Sequence, residues 1–508
     1  MKKIRIYPHL EKLPYEKEAS EIFADLTHNG QVPHTAILDS GVECDYVLAT
    51  LRSALKFTAK KNNFKVEALT PMGEALLDSF DEKLPFAVTA SKRGKTLEGQ
   101  VRPLAAHLSE EERLRAFTTM DLLKYFLGLL DVLEESSYPT TTLIGVFSFE
   151  FLASLEGVPS FVEFPRLEND FTFYFPEHFF VLDNRDKSFY QGVHVLADKD
   201  TEVLKKEACA LVESFTPEIV KEYELTEDGS CRVSSDKEEF CQYVDRSLEH
   251  VRKGDVFQLQ ISRTKTVSLH TTPYDMYRQL KINNPSPFQF YLNLDDGCVF
   301  GCSPELAVKV SKSDEEGQRL VNIHPIAGTA PIGSTGDDRF TAALQTDIKE
   351  LSEHMMLVDL ARNDIAKLSK PGTRKVVSLM ELHKYSHVQH MVSRVEGVLM
   401  DDLDCFHAIA ASGNMGTLTG APKCRATELL QEMEGRPRGF YGGSIGFFTH
   451  TGEVETAIVI RSVRVKEGKA TTQAAAGIVL DSIRENEFEE TNHKMAACFK
   501  VMTGADNE

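Results

Sequence analysis

Tryptophan is absent from all 508 residues, which leaves aromatic packing to 31 Phe and 14 Tyr. No apolar run approaches the roughly 20 residues a helix needs to cross a bilayer, so a membrane-spanning helix is not expected. The opening MKKIRIYPHL carries basic residues with no apolar stretch after them and does not read as a secretion signal. Positive charge is in deficit, with 57 Lys and Arg against 77 Asp and Glu for a net charge of −20. That balance argues against nucleic acid and acidic membrane as partners, while leaving room for a local basic pocket. Nine cysteines, odd in number and widely scattered, suggest a reducing compartment, and the cytoplasm is expected. Cys298 and Cys302 fall near each other, but no second pair or His tract completes a zinc site. Internal repeats and regular βαβ spacing are also missing.

What remains is an ordinary globular composition, 42% hydrophobic and 26% charged, in a chain long enough for two lobes. The first 215 residues mix β-rich runs, HTAILDS (34–40), LIGVFSFEFLASL (143–155) and FTFYFPEHFFVLD (171–183), with a helix in DLLKYFLGLLDVLEE (121–135). The polar, turn-rich stretch SFTPEIVKEYELTEDGSCRVSSDK (214–237) marks a boundary. It divides the chain into an N-terminal lobe (1–215), a linker (216–236) and a second domain (237–508). That domain opens with a capping box from Ser235 to Glu238 and a helix whose Phe240, Val244, Leu248 and Val251 share one face. Gly254 ends it. Irregular alternation of strands and helices predicts an α+β fold.

Two acidic helical patches carry the chemistry. In TDIKELSEHMMLVDLARND (346–364), Leu351, Met355, Val358 and Ala361 follow helical spacing, and Glu350 and Glu353 form an adjoining stripe. In ENEFEETNHKMAACFKVM (485–502), Phe488, Met495, Phe499 and Met502 can face a core, with Glu490 and Lys494 on a neighbouring face beside Glu489. One carboxylate from each helix is a usual protein contribution to a Mg²⁺ site. For any single Glu, solvated helix charge is the better reading. Between the patches lies NMGTLTGAPK (414–423), where Pro422 suits the first residue of a helix whose free N–H groups attract an anion. It is no P-loop, because Pro422 precedes Lys423 and Cys424 follows it. The run QAAAGIVLDS (473–482) permits close backbone approach at Gly477. Arg461, inside the apolar strand AIVIRSVRV (457–465), is costly to bury without an anionic partner. Together these describe an anion pocket.

The segments NPSPFQFYL (284–292), KGDVFQLQISR (253–263), GCSPE (301–305), HPIAGTAP (324–331), ELSEHMMLVDLARND (350–364), NMGTLTGAPK, FYGGSIG (440–446), IVIRS (458–462) and EETNHK (489–494) resemble the chorismate-utilising enzymes. Within them, the likeness is to the large subunits (component I) of anthranilate synthases. It is specific from about residue 240 onward and looser before.

The resemblance implies two interlocked lobes with large antiparallel sheets flanked by helices and an active site in the cleft. It implies Mg²⁺ on Glu353 and Glu490, and chorismate held by Gly328, Thr329, Tyr441, Arg461, Ala475, Ala476, Gly477 and Lys494. Glu305 would protonate the departing hydroxyl, with a pKa raised by burial. His390 would assist pyruvate elimination, and Thr417 would touch substrate. For His390 and Tyr441, simple packing is the alternative that the residues alone support. Relatives that add water carry lysine where Gln258 stands, and aminodeoxychorismate synthases carry lysine where Ala327 stands. Ammonia is therefore the expected nucleophile, delivered by a separate glutamine amidotransferase subunit in a hetero-oligomer. Ser40, Asn284, Pro287, Phe288 and Gln289 match the family's tryptophan inhibitor pocket, with Gln289 replacing a common Met. Cys302, Ala330 and Ala475 also depart from frequent Ser, Arg and Gly.

Alternatives are aminodeoxychorismate, aminodeoxyisochorismate and isochorismate or salicylate synthases, and a non-catalytic tryptophan-binding regulator. For a tryptophan-making enzyme, a chain free of tryptophan can be translated when that amino acid is scarce; compositional drift explains the absence equally well.

Overall fold

Phe171–Asp183 is the strand on which the architecture turns. Nearly every residue of FTFYFPEHFFVLD is buried, so both of its edges and both of its faces need partners. In the computed structural model, which describes residues 3–504 except 15, 41–44, 82, 106, 159, 218–221, 227–229, 314, 316, 332–345 and 385–387, it finds them in two directions. One edge pairs with Tyr46–Lys60. The other pairs first with Thr142–Phe147 and then with Ser188–Leu196, so one strand serves two sheets.

From Tyr46–Lys60 the antiparallel ladder runs through Ala36–Ser40, Phe288–Leu294, Gly297–Ser303, Ser462–Lys466 and Lys469–Ile478 to Gln258–Ser268. From Thr142–Phe147 it runs through Ser444–Thr449, Val454–Ile458, Leu306–Lys312 and Arg319–Ile323 to Val388–Val398. Ile326–Pro331 and Lys375–Lys384 join that last strand. Each ladder thus passes from N-terminal strands into C-terminal ones. This is the interlocked, antiparallel α+β architecture expected from the sequence. Phenylalanine fills the core that tryptophan leaves: Phe448 lies 5.6 Å from Phe173, 6.0 Å from Phe147 and stacks on Phe406 at 4.5 Å. Each such ring contributes roughly 1.5–3 kcal/mol by burial.

Helices cover the sheets where function is expected. Ile348–Leu368 packs on Ile326–Pro331 and Val388–Val398, and Arg484–Thr503 packs on Lys469–Ile478. No helix among the described residues is long and apolar enough to cross a membrane.

Several local expectations shift. LIGVFSFEFLASL is not one strand: it breaks at Ser148, whose hydroxyl caps the helix Phe149–Leu155. The helix of 121–135 stops at Leu129 and continues as a short strand. Asp236, not Ser235, caps the helix Lys237–Lys253, because its carboxylate accepts from Glu239 N at 2.9 Å; Gly254 ends it at φ +80°. Phe240, Val244 and Leu248 are buried as expected. In Ile348–Leu368 the core face is His354, Leu357, Val358, Ala361, Ile365 and Leu368, while Met355 is exposed. Phe257, just before the strand Gln258–Ser268, is exposed. Within 216–236, residues 218–221 and 227–229 lie outside the described residues, and Cys231–Val233 adds a short strand beside Gln258–Ser268.

Candidate active site

Arg461 does not sit inside a strand. Val454–Ile458 ends and Ser462–Lys466 begins on either side of it, and Arg461 occupies the break with φ +50°. The kink belongs to a conformation that a side-chain-bearing residue adopts at a cost. Among the described residues Arg461 makes no side-chain hydrogen bond and no ion pair. It keeps partial exposure, as a cleft lining does, yet the protein around it disfavours its charge and lowers its pKa. Tyr441, Glu490 and Glu305 are close enough to act on it electrostatically.

Glu305 is the acid of this cluster. It is 4% exposed, and burial pushes its carboxyl up to about 8 against the opposing pull of Thr417, Arg461 and Lys494. Thr417 Oγ1 donates to Glu305 Oε1 at 3.0 Å. Such a carboxyl is mostly protonated at neutral pH. Thr417 comes from the Gly416–Thr419 helix inside the Gly-rich segment, so the loop serves the site through this hydroxyl.

The corner where that segment starts the Lys423–Glu434 helix is used differently. Pro422 is its N-cap, one position earlier than expected. Lys423 is buried and bonded to Glu156 at 2.6 Å and Asp364 at 2.9 Å, so the chain's own carboxylates neutralise it.

Arg484–Thr503 and the strand beneath it supply the opposite wall. Lys494 Nζ lies 2.5 Å from Glu490 Oε1 and donates to Ala475 O at 2.9 Å. The Tyr441 hydroxyl also bonds the Ala475 backbone, and burial raises it to about 12. The Ala475 methyl belongs to the apolar cluster that includes Tyr441 and Ile458. Ala476 is buried on the other face of the strand. Gln260 pairs with Gly477 across the sheet, and a Cβ on Gly477 would sit 2.8 Å from the side-chain nitrogens of both Gln258 and Gln260. A side chain there would have to displace the ends of these two amides. Gln258 is 2% exposed, so its amide is held in the interior.

His390 enters from Val388–Val398. A bulge between Ala327 and Thr329 turns the Gly328 carbonyl toward it, and His390 Nδ1 donates to Gly328 O at 3.3 Å. A carbonyl can only accept, so Nδ1 carries the proton and Nε2 is the basic nitrogen. Burial, with Arg461 nearby, pulls the imidazole down to about 4, which keeps it neutral. The Thr329 side chain lies outside the described residues.

Glu353 and Glu490 are each half-buried on separate helices. Glu489 is exposed and lies by Lys237 and Asn492, a solvated charge. Its neighbour Glu487, three residues before Glu490, is buried and was not among the acids expected at the site. The signal was available: Glu487/Glu490 repeats the i, i+3 spacing of Glu350/Glu353. Glu353 and Glu487 each hold one carboxylate oxygen away from solvent. Carboxylate oxygens are the ligand type that Mg²⁺, a hard cation, takes. His354, next to Glu353, anchors its helix through a 2.6 Å bond from Nε2 to Ser393 Oγ.

The second predicted pocket adjoins a cavity of about 390 Å³ lined by Leu38, Tyr46, Tyr138, Phe288, Gln289 and Phe447, among others. Ser40 pairs with Phe288 through the backbone, and its side chain lies outside the described residues. Asn284 caps the Pro273–Asn283 helix and, like Pro287, is not among the lining residues. Gln289 donates to Ser286 O at 3.3 Å, while its Oε1 is buried and accepts no hydrogen bond among the described residues.

Residues 86–500 match the family model described as chorismate binding enzyme, and the chain belongs to that family. Within it, the relatives at hand are component 1 of anthranilate synthases. The chain is 38% identical over 473 residues to the pyocyanine-specific anthranilate synthase component 1 of Pseudomonas aeruginosa, covering 91% of this chain and 88% of that protein. It is 36% identical over 520 residues to anthranilate synthase component 1 of Escherichia coli, covering 98% of each. The crystal structure of anthranilate synthase component I from Streptococcus pneumoniae matches with a TM-score of 0.70 at 26% identity, over 92% of this chain and 93% of that one. The menaquinone-specific isochorismate synthase of Escherichia coli shares the fold at a TM-score of 0.63 and 14% identity, over 99% and 95%.

Proposed function

We propose that this chain catalyses the anthranilate synthase reaction: addition of ammonia to chorismate with loss of a hydroxyl, then elimination of pyruvate. The observation that carries the reading is Glu305, a buried acid kept protonated and aimed by Thr417 beside two cations, Arg461 and Lys494. Arg461 has a guanidinium unmatched by any ion pair among the described residues, and a substrate carboxylate supplies the match. Lys494 and the backbone around Ala475 to Gly477 hold the other end of a dicarboxylate. Glu305 gives its proton to the departing hydroxyl, which leaves as water.

Glu353 and Glu490 would hold Mg²⁺, with Glu350 and Glu487 one helical turn away. When bound, the ion supplies Lewis-acid polarisation of the ring carboxylate. His390, neutral and with Nε2 basic, accepts the ring C2 proton as the enolpyruvyl group departs and the ring becomes aromatic. Gln258 cannot deprotonate water, and Ala327 offers no amine, so neither isochorismate nor lysine-linked chemistry has its base or nucleophile. Ammonia needs neither. We propose a glutamine amidotransferase subunit as its source, the cytoplasm as the setting, and tryptophan in the cavity beside Phe288 and Gln289 as feedback inhibitor.

The test mixes purified chain, chorismate, Mg²⁺ and an ammonium salt at mildly alkaline pH. Fluorescent anthranilate appears and EDTA stops it. Chromatography that finds isochorismate or an unaromatised amino-cyclohexadiene as the end product rejects the reading.

A further inference from the structure

We propose that His9, Glu11 and Cys209 form a site for a borderline transition-metal dication of the Zn²⁺ class, clamping the Thr201–Glu213 helix onto the Ile4–Leu13 strand. None of these three residues belongs to the site described above. The ligand-type atoms of the three side chains all lie within 4.8 Å of one another. His9 Nε2 stands 3.4 Å from Cys209 Sγ. A tetrahedral zinc ion, with bonds of about 2.0–2.3 Å, separates its nitrogen and sulfur ligands by roughly 3.5 Å, so these two atoms already stand at ligand spacing. Strand period puts His9 and Glu11 on one face, and the helix carrying Cys209 packs against that strand.

The environment suits a dication. Glu11 Oε2 is buried and accepts no hydrogen bond among the described residues. Burial lowers the His9 pKa and so favours the neutral imidazole that a metal requires, with Glu11 opposing and Lys205 assisting. All three residues keep partial exposure, which leaves an approach for the ion and a place for water as fourth ligand. Binding releases the Cys209 thiol proton to solvent, and thiolate plus carboxylate then balance the two positive charges. A thiolate–imidazole–carboxylate set selects Zn²⁺ over Mg²⁺, because sulfur is a poor ligand for a hard cation.

Cobalt reports on the site directly. Titration of Co²⁺ into the metal-stripped full chain should develop a near-ultraviolet thiolate-to-cobalt charge-transfer band that saturates at one equivalent and is displaced by Zn²⁺. Cys209→Ser and His9→Asn should each lose the band, and Glu490→Gln should keep it. Zn²⁺ should raise the thermal midpoint of the parent chain and leave that of Cys209→Ser unmoved. Absence of the band in the parent chain, or its persistence in Cys209→Ser, overturns the proposal. Should Cys209→Ser fold poorly, His9→Asn decides the matter alone.

Discussion

Arg438 and Arg461 are two arginines placed in opposite circumstances. Arg438 is closed on itself: it donates to Glu434 Oε1, Leu418 O and Gln260 O, each at 2.6 Å, and lies 4.7 Å from the Phe149 ring. Its backbone N–H donates to Glu150, a carboxyl that burial pushes up to about 7. Arg461 lies in a strained break and has no ion pair among the described residues. A satisfied cation holds the loop that carries Tyr441, and an unsatisfied one stays partly exposed. The difference teaches where this fold spends stability: matched charges build the frame, and the unmatched one is the charge that the proposed function assigns to ligand.

The comparison breaks most readily by truncating each arginine. Arg438→Met should lose about 3–5 kcal/mol of unfolding free energy, because Glu434 is left buried without its ion-pair partner. Denaturant melts check this. Arg461→Met should leave the melt nearly unchanged and lower turnover by about 10²–10³-fold, the loss typical of one transition-state donor. If both variants lose stability alike, the contrast between frame and cleft is wrong.

Glu305 sharpens the contrast through pH. Its folded pKa, about 8, lies above its ordinary value of 4.5, so the folded chain retains a proton that the unfolded chain releases. Its stability contribution is therefore fully present below about pH 4.5 and declines as pH rises toward 8. Glu305→Gln should remove that decline and stabilise the chain at pH 8 by an amount on the order of a few kcal/mol, while turnover falls by roughly 10²–10⁴-fold. With free ammonia held constant, parent turnover should fall above about pH 8, and a profile flat through that window would sink Glu305 as the acid. His390 runs the other way. Its folded value of about 4 lies below the ordinary 6.5, so its contribution is present above pH 6.5 and is lost as pH falls toward 4.

The smallest effect belongs to the cavity. Gln289→Met replaces a buried amide whose Oε1 accepts nothing among the described residues, and should tighten tryptophan binding by about 1 kcal/mol. Calorimetry reads it, and a weakened or unchanged affinity detaches Gln289 from inhibitor binding.

The residues expected at the proposed site were picked out because few residue types can do each task. Glu305, Arg461, Lys494 and Tyr441 sit in short segments whose order identifies them, and the structure gathers them with Glu490 and Thr417. What was not legible depends on distant partners or on backbone geometry. AIVIRSVRV reads as continuous strand because Val and Ile flank Arg461 on both sides, and nothing in the string announces a kink. The roles of Lys423, Glu150 and Arg438 emerge only when Glu156, Asp364, Gly439 and Gln260 arrive from elsewhere. Glu487 is hidden by its more conspicuous neighbour Glu489. Met355 fits the helical spacing yet faces outward, since His354 takes the interior position to reach Ser393.

The ladders that thread both ends of the polypeptide also govern how it is made. Thr142–Phe147 needs Ser444–Thr449 along its flank, and Ala36–Ser40 needs Phe288–Leu294. On a ribosome, those early strands emerge hundreds of residues ahead of their mates and must wait with naked edges, the state that invites aggregation and chaperone capture. A half-synthesised product is therefore no half-enzyme, and quality control in the cell meets this chain as all or nothing.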